Sequence, residues 1–176
     1  MIITGGKYKG RKIQAPDEKI TRPTLSKVRQ GIFNSLYSLI GDFEGKSFLD
    51  LFGGSGIIGL EALSRGFETV VVYEKNLKTA TILKKNYEIL NLKPQIKIGD
   101  SLRLIQKSDK IFDVIYIDPP YYSGIYEEIF SSIKKNINND SIIIAEHASE
   151  LSIKEFYLIK EKTYGNISIS FFKYLK

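Results

Sequence analysis

Ser47-Phe48-Leu49-Asp50-Leu51-Phe52-Gly53-Gly54-Ser55-Gly56 is the stretch from which the fold is read. Residues 47–52 are an apolar run of strand length. The glycines that follow let the chain turn tightly and let a ligand come close to the backbone. Helical spacing takes over across residues 56–65, and a helix starting at such a turn offers unpaired N–H groups. A strand that passes through a glycine turn into a helix opens an α/β unit.

The same alternation runs on from there. Strands are predicted at 69–73, 95–98, 112–117 and 141–146, separated by helices at 77–90, 101–106 and 124–135. Apolar strands between helices indicate a parallel sheet covered on both faces. Residues 156–160 and 167–174 read as two more strands joined at 164–166, which would put an antiparallel strand into that sheet. The expected fold is α/β, a doubly wound, mostly parallel, Rossmann-like sheet of seven strands with an antiparallel strand near the C-terminus.

Upstream, residues 1–6 and 11–15 read as two short strands around Gly5, Gly6 and Gly10, a hairpin. A loop at 17–23 leads to a helix with Thr24 as its N-cap. Leu25, Val28, Ile32, Leu36 and Leu39 follow helical spacing, and Gly41 ends the helix. This divides the chain into a basic hairpin and helix at 1–40, packed on an α/β domain at 41–176.

Charge sets the first part apart. The whole chain carries +6. Residues 1–30 contain Lys7, Lys9, Arg11, Lys12, Lys19, Arg22, Lys27 and Arg29 against only Asp17 and Glu18, so the excess lies there and the remainder is balanced. A basic segment on a neutral body fits either a phosphate-rich partner or a solvated polar surface. With no cysteine and only His147, the chain excludes disulfides, thiol catalysis and a zinc site of His and Cys ligands; no metal is expected. No apolar run approaches the ~18 residues of a membrane span. Residues 1–11 lack the apolar stretch of a secretory signal, and a cytoplasmic, monomeric protein is expected.

In a doubly wound sheet, ligands bind beyond the carboxyl ends of the strands, so the residues there carry the most weight. Gly54-Ser55-Gly56-Ile57-Ile58-Gly59 fits G-x-G-x-x-G, and Glu74 stands 20 positions after Gly54 at the end of the next strand. These two features alone admit NAD as readily as S-adenosylmethionine. Asp50 favours the latter: a carboxylate before the turn attracts the cationic amino group of a methionine moiety and repels a pyrophosphate. Glu74 can accept from both ribose hydroxyls. In Gly99-Asp100-Ser101, Asp100 can accept from an adenine amino group, cap the next helix, or do both. The predicted cofactor-binding set is Asp50, Phe52, Gly54, Ser55, Gly56, Glu74, Asp100 and Ser101.

Asp118-Pro119-Pro120-Tyr121 follows the apolar strand that ends at Ile117. The prolines give a rigid loop, so the Asp118 carboxylate and the Pro119 carbonyl can both accept from one NH₂ group. The amino group of a base is a poor nucleophile because its lone pair is delocalised into the ring. Two fixed acceptors can turn that lone pair toward a methyl donor and stabilise the charge that develops on nitrogen. Tyr121 offers a face on which a flipped base can stack. The predicted catalytic group is Asp118, Pro119, Pro120 and Tyr121.

Ile3-Thr4-Gly5-Gly6, Lys9-Gly10-Arg11, Thr21-Arg22-Pro23-Thr24, Val28-Arg29, Ile32-Phe33-Asn34-Ser35-Leu36 and Leu60-Glu61-Ala62-Leu63-Ser64-Arg65-Gly66 resemble, together with the strand-end motifs, the RsmD family of class I methyltransferases. The resemblance covers nearly the whole chain. It departs at Gly53, where the family usually has alanine, and at Gln30, where it usually has glutamate. The resemblance implies methyl transfer from S-adenosylmethionine to N2 of one guanine in small-subunit (16S) ribosomal RNA, with the RNA or the subunit as partner. Lys7, Lys9, Arg11, Lys12, Arg22 and Arg29 are then expected to meet RNA phosphates, Arg22 alternatively the methionine carboxylate. Tyr122 and Tyr126 either line the base pocket or pack, and His147 is read as structural. A DNA adenine or cytosine amino-methyltransferase, a NAD oxidoreductase and a catalytically silent RNA-binding assembly factor remain as alternatives.

Overall fold

The structure, a computed structural model, describes residues 1–15, 25–93, 95–120 and 124–175. Its elements are α1 (Ser26–Ile40), β1 (Ser47–Asp50), α2 (Ile57–Ser64), β2 (Thr69–Glu74), α3 (Leu77–Glu88), β3 (Gln95–Ile98), α4 (Ser101–Gln106), β4 (Val114–Ile117), α5 (Ile125–Ile133), β5 (Ile142–His147), β6 (Phe156–Tyr164) and β7 (Ile167–Tyr174). A 3₁₀ turn, Lys134–Asn136, continues α5.

The strands form one sheet in the order β3-β2-β1-β4-β5-β7-β6. Strands β1 to β5 are parallel, and β7 enters antiparallel between β5 and β6. The expected seven strands and the antiparallel C-terminal strand are both present. Strand order reverses at β1 and β4, the place where a crevice opens at the carboxyl edge of such a sheet.

Central strands are buried on both faces, which is why they read as unbroken apolar runs: β4 is wholly buried. One face packs Val28, Ile32, Phe33 and Leu36 of α1, Ile57, Ile58 and Leu60 of α2, and Leu83 and Tyr87 of α3. The other packs Ile105 of α4 and Ile129, Phe130 and Ile133 of α5. At ~25 cal/mol per Å², such side chains each contribute about 1.5–3 kcal/mol, which explains why the apolar spacing of the helices fixes their orientation.

Two expectations are corrected. The N-terminal hairpin has no strands; it closes through one antiparallel bridge, Ile2 with Lys12. Besides its own cross-bonds, Ile3 N–H to the Arg11 carbonyl and Ile13 N–H to the Met1 carbonyl among them, it is bonded outward: Thr4 N–H donates to the Glu61 carboxylate, Lys7 N–H to the Ser64 carbonyl and Gln14 N–H to the Asn86 side chain. Ile3 and Ile13 are buried in the same core as α1, so this segment is clamped onto α2 and α3. Second, β6 runs to Tyr164, beyond the predicted 160, because Lys160, Glu161 and Lys162 sit on an outer strand whose side chains reach water. Gly41 does end α1, at φ 75°, with its N–H on the Tyr37 carbonyl. Thr24, the expected N-cap, lies outside the described residues; Leu25 occupies the cap position with no side-chain bond.

Candidate active site

All four strand-end motifs meet at the carboxyl edge of β1 to β4. The turn after β1 is tied to its neighbours by short bonds. Gly54 N–H donates to Glu74 Oε2 at 2.8 Å, and Gly53 N–H to the Tyr73 carbonyl at 2.8 Å. Gly99 N–H donates to the Glu74 carbonyl at 3.0 Å, and the Ser101 hydroxyl to the Leu51 carbonyl at 2.5 Å. The loops after β1, β2 and β3 therefore form one bonded rim.

The glycines of the turn serve packing as well as turning. Gly56 has φ 79° and precedes α2 in the left-handed region that glycine favours. A Cβ on Gly53 would lie 2.2 Å from Val72 Cγ1 and 2.9 Å from Leu83 Cδ1. This contact explains the departure from alanine: in this chain Val72 and Leu83 occupy the space a methyl group would need.

Asp50 ends β1 and is 1 % exposed. Its Oδ1 accepts from Phe52 N–H at 3.2 Å. Burial pushes its carboxyl up to about 7; the Phe52 bond opposes this and the charge of Glu74 adds to it. A cationic group arriving beside Asp50 prefers the ionised form. Affinity for S-adenosylmethionine is therefore expected to rise with pH by up to about tenfold per unit below 7 and to flatten above it. The Asp50→Asn variant should lose that slope, which titration calorimetry from pH 5.5 to about 7.5 would read. Stability follows the opposite course. A carboxyl whose folded value is raised from 3.8 to about 7 favours the fold below the lower value and loses that contribution as pH rises through the upper one.

Glu74 is half-buried and accepts from two backbone donors, Gly54 N–H through Oε2 and Asn76 N–H at 2.7 Å through Oε1. Each oxygen has a second lone pair to offer a ribose hydroxyl. The Glu74→Ala variant is expected to bind the methyl donor about 1.5–3 kcal/mol more weakly, by calorimetry. Asp100 caps α4, accepting from Arg103 N–H at 3.2 Å, while Lys75 approaches its other oxygen at 3.5 Å.

Among the predicted serines, Ser101 is buried and spends its hydroxyl on Leu51, so its side chain fixes the rim from inside. The Ser55 hydroxyl accepts from Ile57 N–H at 3.3 Å and also turns inward; Phe52 is half-buried above the turn. The residues fit S-adenosylmethionine by the chemistry of the set. Carboxylates end β1 and β2 and follow β3, suited to an ammonium, two hydroxyls and an amino group, with no phosphate-binding cation built into the glycine turn.

Beyond β4, Asp118 is half-buried, Pro119 buried and Pro120 exposed. Tyr121, Tyr122 and Arg22 lie outside the described residues. Tyr116, unnoticed within an apolar strand, proves central. It is opposite Asp50 in the β1–β4 register, and its hydroxyl donates to Glu146 Oε2 of β5 at 2.7 Å. Burial raises its phenol well above the ordinary value, and the charges of Asp118, Glu146 and Asp50 add to this. The phenol therefore stays neutral, a hydrogen-bond donor between the ends of β1 and β5.

Tyr126 donates to the Glu146 carbonyl at 2.5 Å, and burial raises its phenol too, with Asp118 and Glu146 adding. His147 is buried, its Nδ1 2.6 Å from the Ser149 carbonyl and its Nε2 2.8 Å from the Ser170 hydroxyl, which supports the structural reading.

The basic residues separate into two groups. Lys7, Lys9, Arg11 and Lys12 are exposed. Arg29 is not, and its expected RNA contact is corrected. It is 1 % exposed, with its guanidinium on Glu61 at 3.3 Å, the Ile2 carbonyl at 2.7 Å and Ser26 at 3.2 Å. Its charge holds the N-terminal segment to α2.

This sheet order, with β7 reversed beside β5 and carboxylates along the edge from β1 to β4, defines a class I S-adenosylmethionine-dependent methyltransferase. The Escherichia coli protein yhhF has the same fold: its solved structure aligns with a TM-score of 0.87 over 100% of this chain and 99% of that one, at 24% identity. The model of the family described as Conserved hypothetical protein 95 matches residues 1–173. Ribosomal RNA small subunit methyltransferase D of Buchnera aphidicola from Acyrthosiphon pisum is 36% identical over 95% of this chain and 90% of its own length. The Escherichia coli K12 protein of that name is 29% identical over 94% and 86%. The chain belongs to the RsmD family of methyltransferases.

Proposed function

We propose that the protein transfers a methyl group from S-adenosylmethionine to the exocyclic N2 amino group of a guanine in small-subunit ribosomal RNA, acting as a cytoplasmic monomer. The observation that carries this reading is the placement of Asp118-Pro119-Pro120 one strand away from the carboxylates that suit the methyl donor, with Tyr116 between them. The names of the relatives favour ribosomal RNA as the acceptor.

S-adenosylmethionine supplies an electrophilic methyl group on a sulfonium. Asp50, Glu74 and Asp100 would hold its amino acid, ribose and adenine parts. Asp118 and the Pro119 carbonyl accept the two N–H bonds of the base amino group, so the nitrogen lone pair faces the methyl carbon. With the methyl donor bound, the N–C bond would form as the S–C bond breaks, leaving a neutral thioether, and the nitrogen would then lose one proton to solvent. Asp118 stabilises the charge on nitrogen before that loss and need not be a strong base. Tyr121 stacks on the flipped base.

The exposed hairpin cations suit RNA flanking the target. Lys7 lies by the Ser64 carbonyl at the far end of α2, about 12 Å of helix from the glycine turn. Replacing Lys9, Arg11 and Lys12 with glutamine should therefore weaken RNA binding and reduce its salt slope by about 2. A slope equal to the wild type would remove the hairpin from the interface.

The proposal is tested by incubating the enzyme with labelled S-adenosylmethionine and either small ribosomal subunits lacking base methylation or duplex DNA. Label is expected in ribosomal RNA. Label in DNA alone would move the function to the DNA enzymes, and RNA binding without label would favour an assembly factor.

A further inference from the structure

We propose that Asn86 makes the N-terminal segment part of the methyl-donor site: one side-chain amide fixes the glycine turn at Ser55 and the segment at Gln14, so that a ligand on the turn and the seating of the segment favour one another. This rests on the reading that S-adenosylmethionine lies against the glycine turn.

The bonds come first. Asn86 lies on α3 and is 0 % exposed. Its Oδ1 accepts from Gln14 N–H at 2.8 Å, and its Nδ2 donates to the Gln14 carbonyl and the Ser55 carbonyl, both at 2.9 Å. Both amide hydrogens are thus engaged, each on a carbonyl. Only one orientation of the amide serves these three partners, because the flipped one sets N–H against N–H and oxygen against two carbonyls. Aspartate would set an oxygen against both carbonyls, glutamine is one methylene too long, and leucine offers no bond.

The turn needs such a bond. Ser55 stands between Gly54 at φ 51° and Gly56 at φ 79°, and glycines resist twisting least, so the bond on the Ser55 carbonyl orients a peptide that is otherwise loosely held. From below, Leu83 and Tyr87 of α3 press on the turn: a Cβ on Gly56 would lie 2.9 Å from Leu83 Cγ and 3.2 Å from Tyr87 Cε2. Those contacts carry little direction, and Asn86 supplies it. The segment converges on the same place. The Ser55 hydroxyl lies 3.8 Å from Met1 Sδ, and the Met1 carbonyl accepts from Ile13 N–H at 2.9 Å, so both arms of the segment reach Ser55. Arg11 Nη2 donates to the Ile89 carbonyl at 3.4 Å, at the end of α3 that carries Asn86. A turn ordered before its ligand arrives binds more tightly. By linkage, a ligand that orders the turn holds the segment down by the same factor. Asn86 is thus a positioning residue: it acts on the methyl donor through Ser55.

The test measures the affinity for S-adenosylhomocysteine by calorimetry and follows amide hydrogen exchange at residues 1–15 with and without that ligand. In the wild type the ligand should slow exchange at Gln14, whose N–H is bonded to Asn86. Asn86→Ala should bind about 3- to 10-fold more weakly and lose the ligand-dependent slowing. A residue that merely stiffened the fold would raise exchange equally with and without ligand. Gln14→Pro removes the N–H on the far side of the link and leaves Asn86 and Ser55 in place. It should weaken binding too, by less, and it carries the test alone if the alanine variant fails to fold. Affinity within about twofold of wild type in Gln14→Pro would reduce Asn86 to a prop for the turn and overturn the link. Exchange at Gln14 that ignores the ligand in the wild type, or still responds to it in Asn86→Ala, would overturn it as well. Glu74→Ala is the control for the site itself: if it binds as the wild type does, the reading on which the proposal rests falls instead.

Discussion

Replacing Asp118 by alanine is expected to slow methyl transfer by roughly two to four orders of magnitude in single-turnover assays while leaving S-adenosylmethionine affinity nearly unchanged. The size follows from what is lost. Asp118 stands at the end of β4, and the proline behind it fixes the loop. In the proposed reaction its carboxylate both orients the amino group and faces the positive charge on nitrogen, which exists only as the N–C bond forms. A group that acts on the transition state and not on the ground state changes the rate constant without changing binding. The proposed cofactor set lies on β1, β2 and the loop after β3, and stays bonded to itself through Gly54, Glu74 and Gly99. Asp118→Asn keeps an acceptor oxygen and loses the charge, so it should fall between alanine and wild type. Near-normal turnover in the alanine variant would remove Asp118 from the chemistry.

A second large effect concerns stability. Glu61 of α2 is 0 % exposed. Its Oε1 accepts from Thr4 N–H at 2.7 Å and Arg29 Nε at 3.3 Å, and its Oε2 from Arg65 Nε at 3.2 Å. Burial lowers the Arg29 pKa from its ordinary value, and Glu61 opposes that shift. Removing Glu61 takes a buried carboxylate away from two guanidinium groups, Arg29 and Arg65, which costs about 3–5 kcal/mol. In a chain of this size each kcal/mol moves the melting point by about 2–4 °C, so Glu61→Ala should melt about 6–20 °C lower. The double change Arg29→Met, Glu61→Leu should lose less than the single one, because the buried guanidinium is removed together with its carboxylate. A melting point within a degree or two of wild type for Glu61→Ala would refute the role of this cluster.

The sheet was legible because its parallel strands are buried on both faces and the sequence carries that burial directly, as in the run Val114-Ile115-Tyr116-Ile117. Their ends were less so. The predicted strand at 112–117 starts two residues later, since Phe112 N–H bonds to the Asn136 carbonyl and the Asp113 carboxylate accepts from Ser47. Those partners are distant in sequence and leave no periodic signal. Arg29 illustrates the same limit. Its charge is visible locally, but the acid that neutralises it lies 32 residues away. Helical spacing held the clue, because Arg29 stands beside Val28 and four residues from Phe33, on the buried side of α1. Tyr116 and Glu146 were hidden in strands taken as apolar. Only the β4–β5 pairing shows that a phenol and an acid two residues beyond its partner meet above the core. The glycine turn, Glu74, Asp100 and Asp118 stood out because the proposed ligand chemistry calls for their residue types at strand ends, whatever the packing beneath.

The most direct test of the central claim is the identity of the methylated nucleoside. Small ribosomal subunits lacking base methylation would be treated with the enzyme and S-adenosylmethionine, and the RNA digested for nucleoside mass spectrometry. N2-methylguanosine at one position is the predicted product. N6-methyladenosine or N4-methylcytidine in its place would contradict the account.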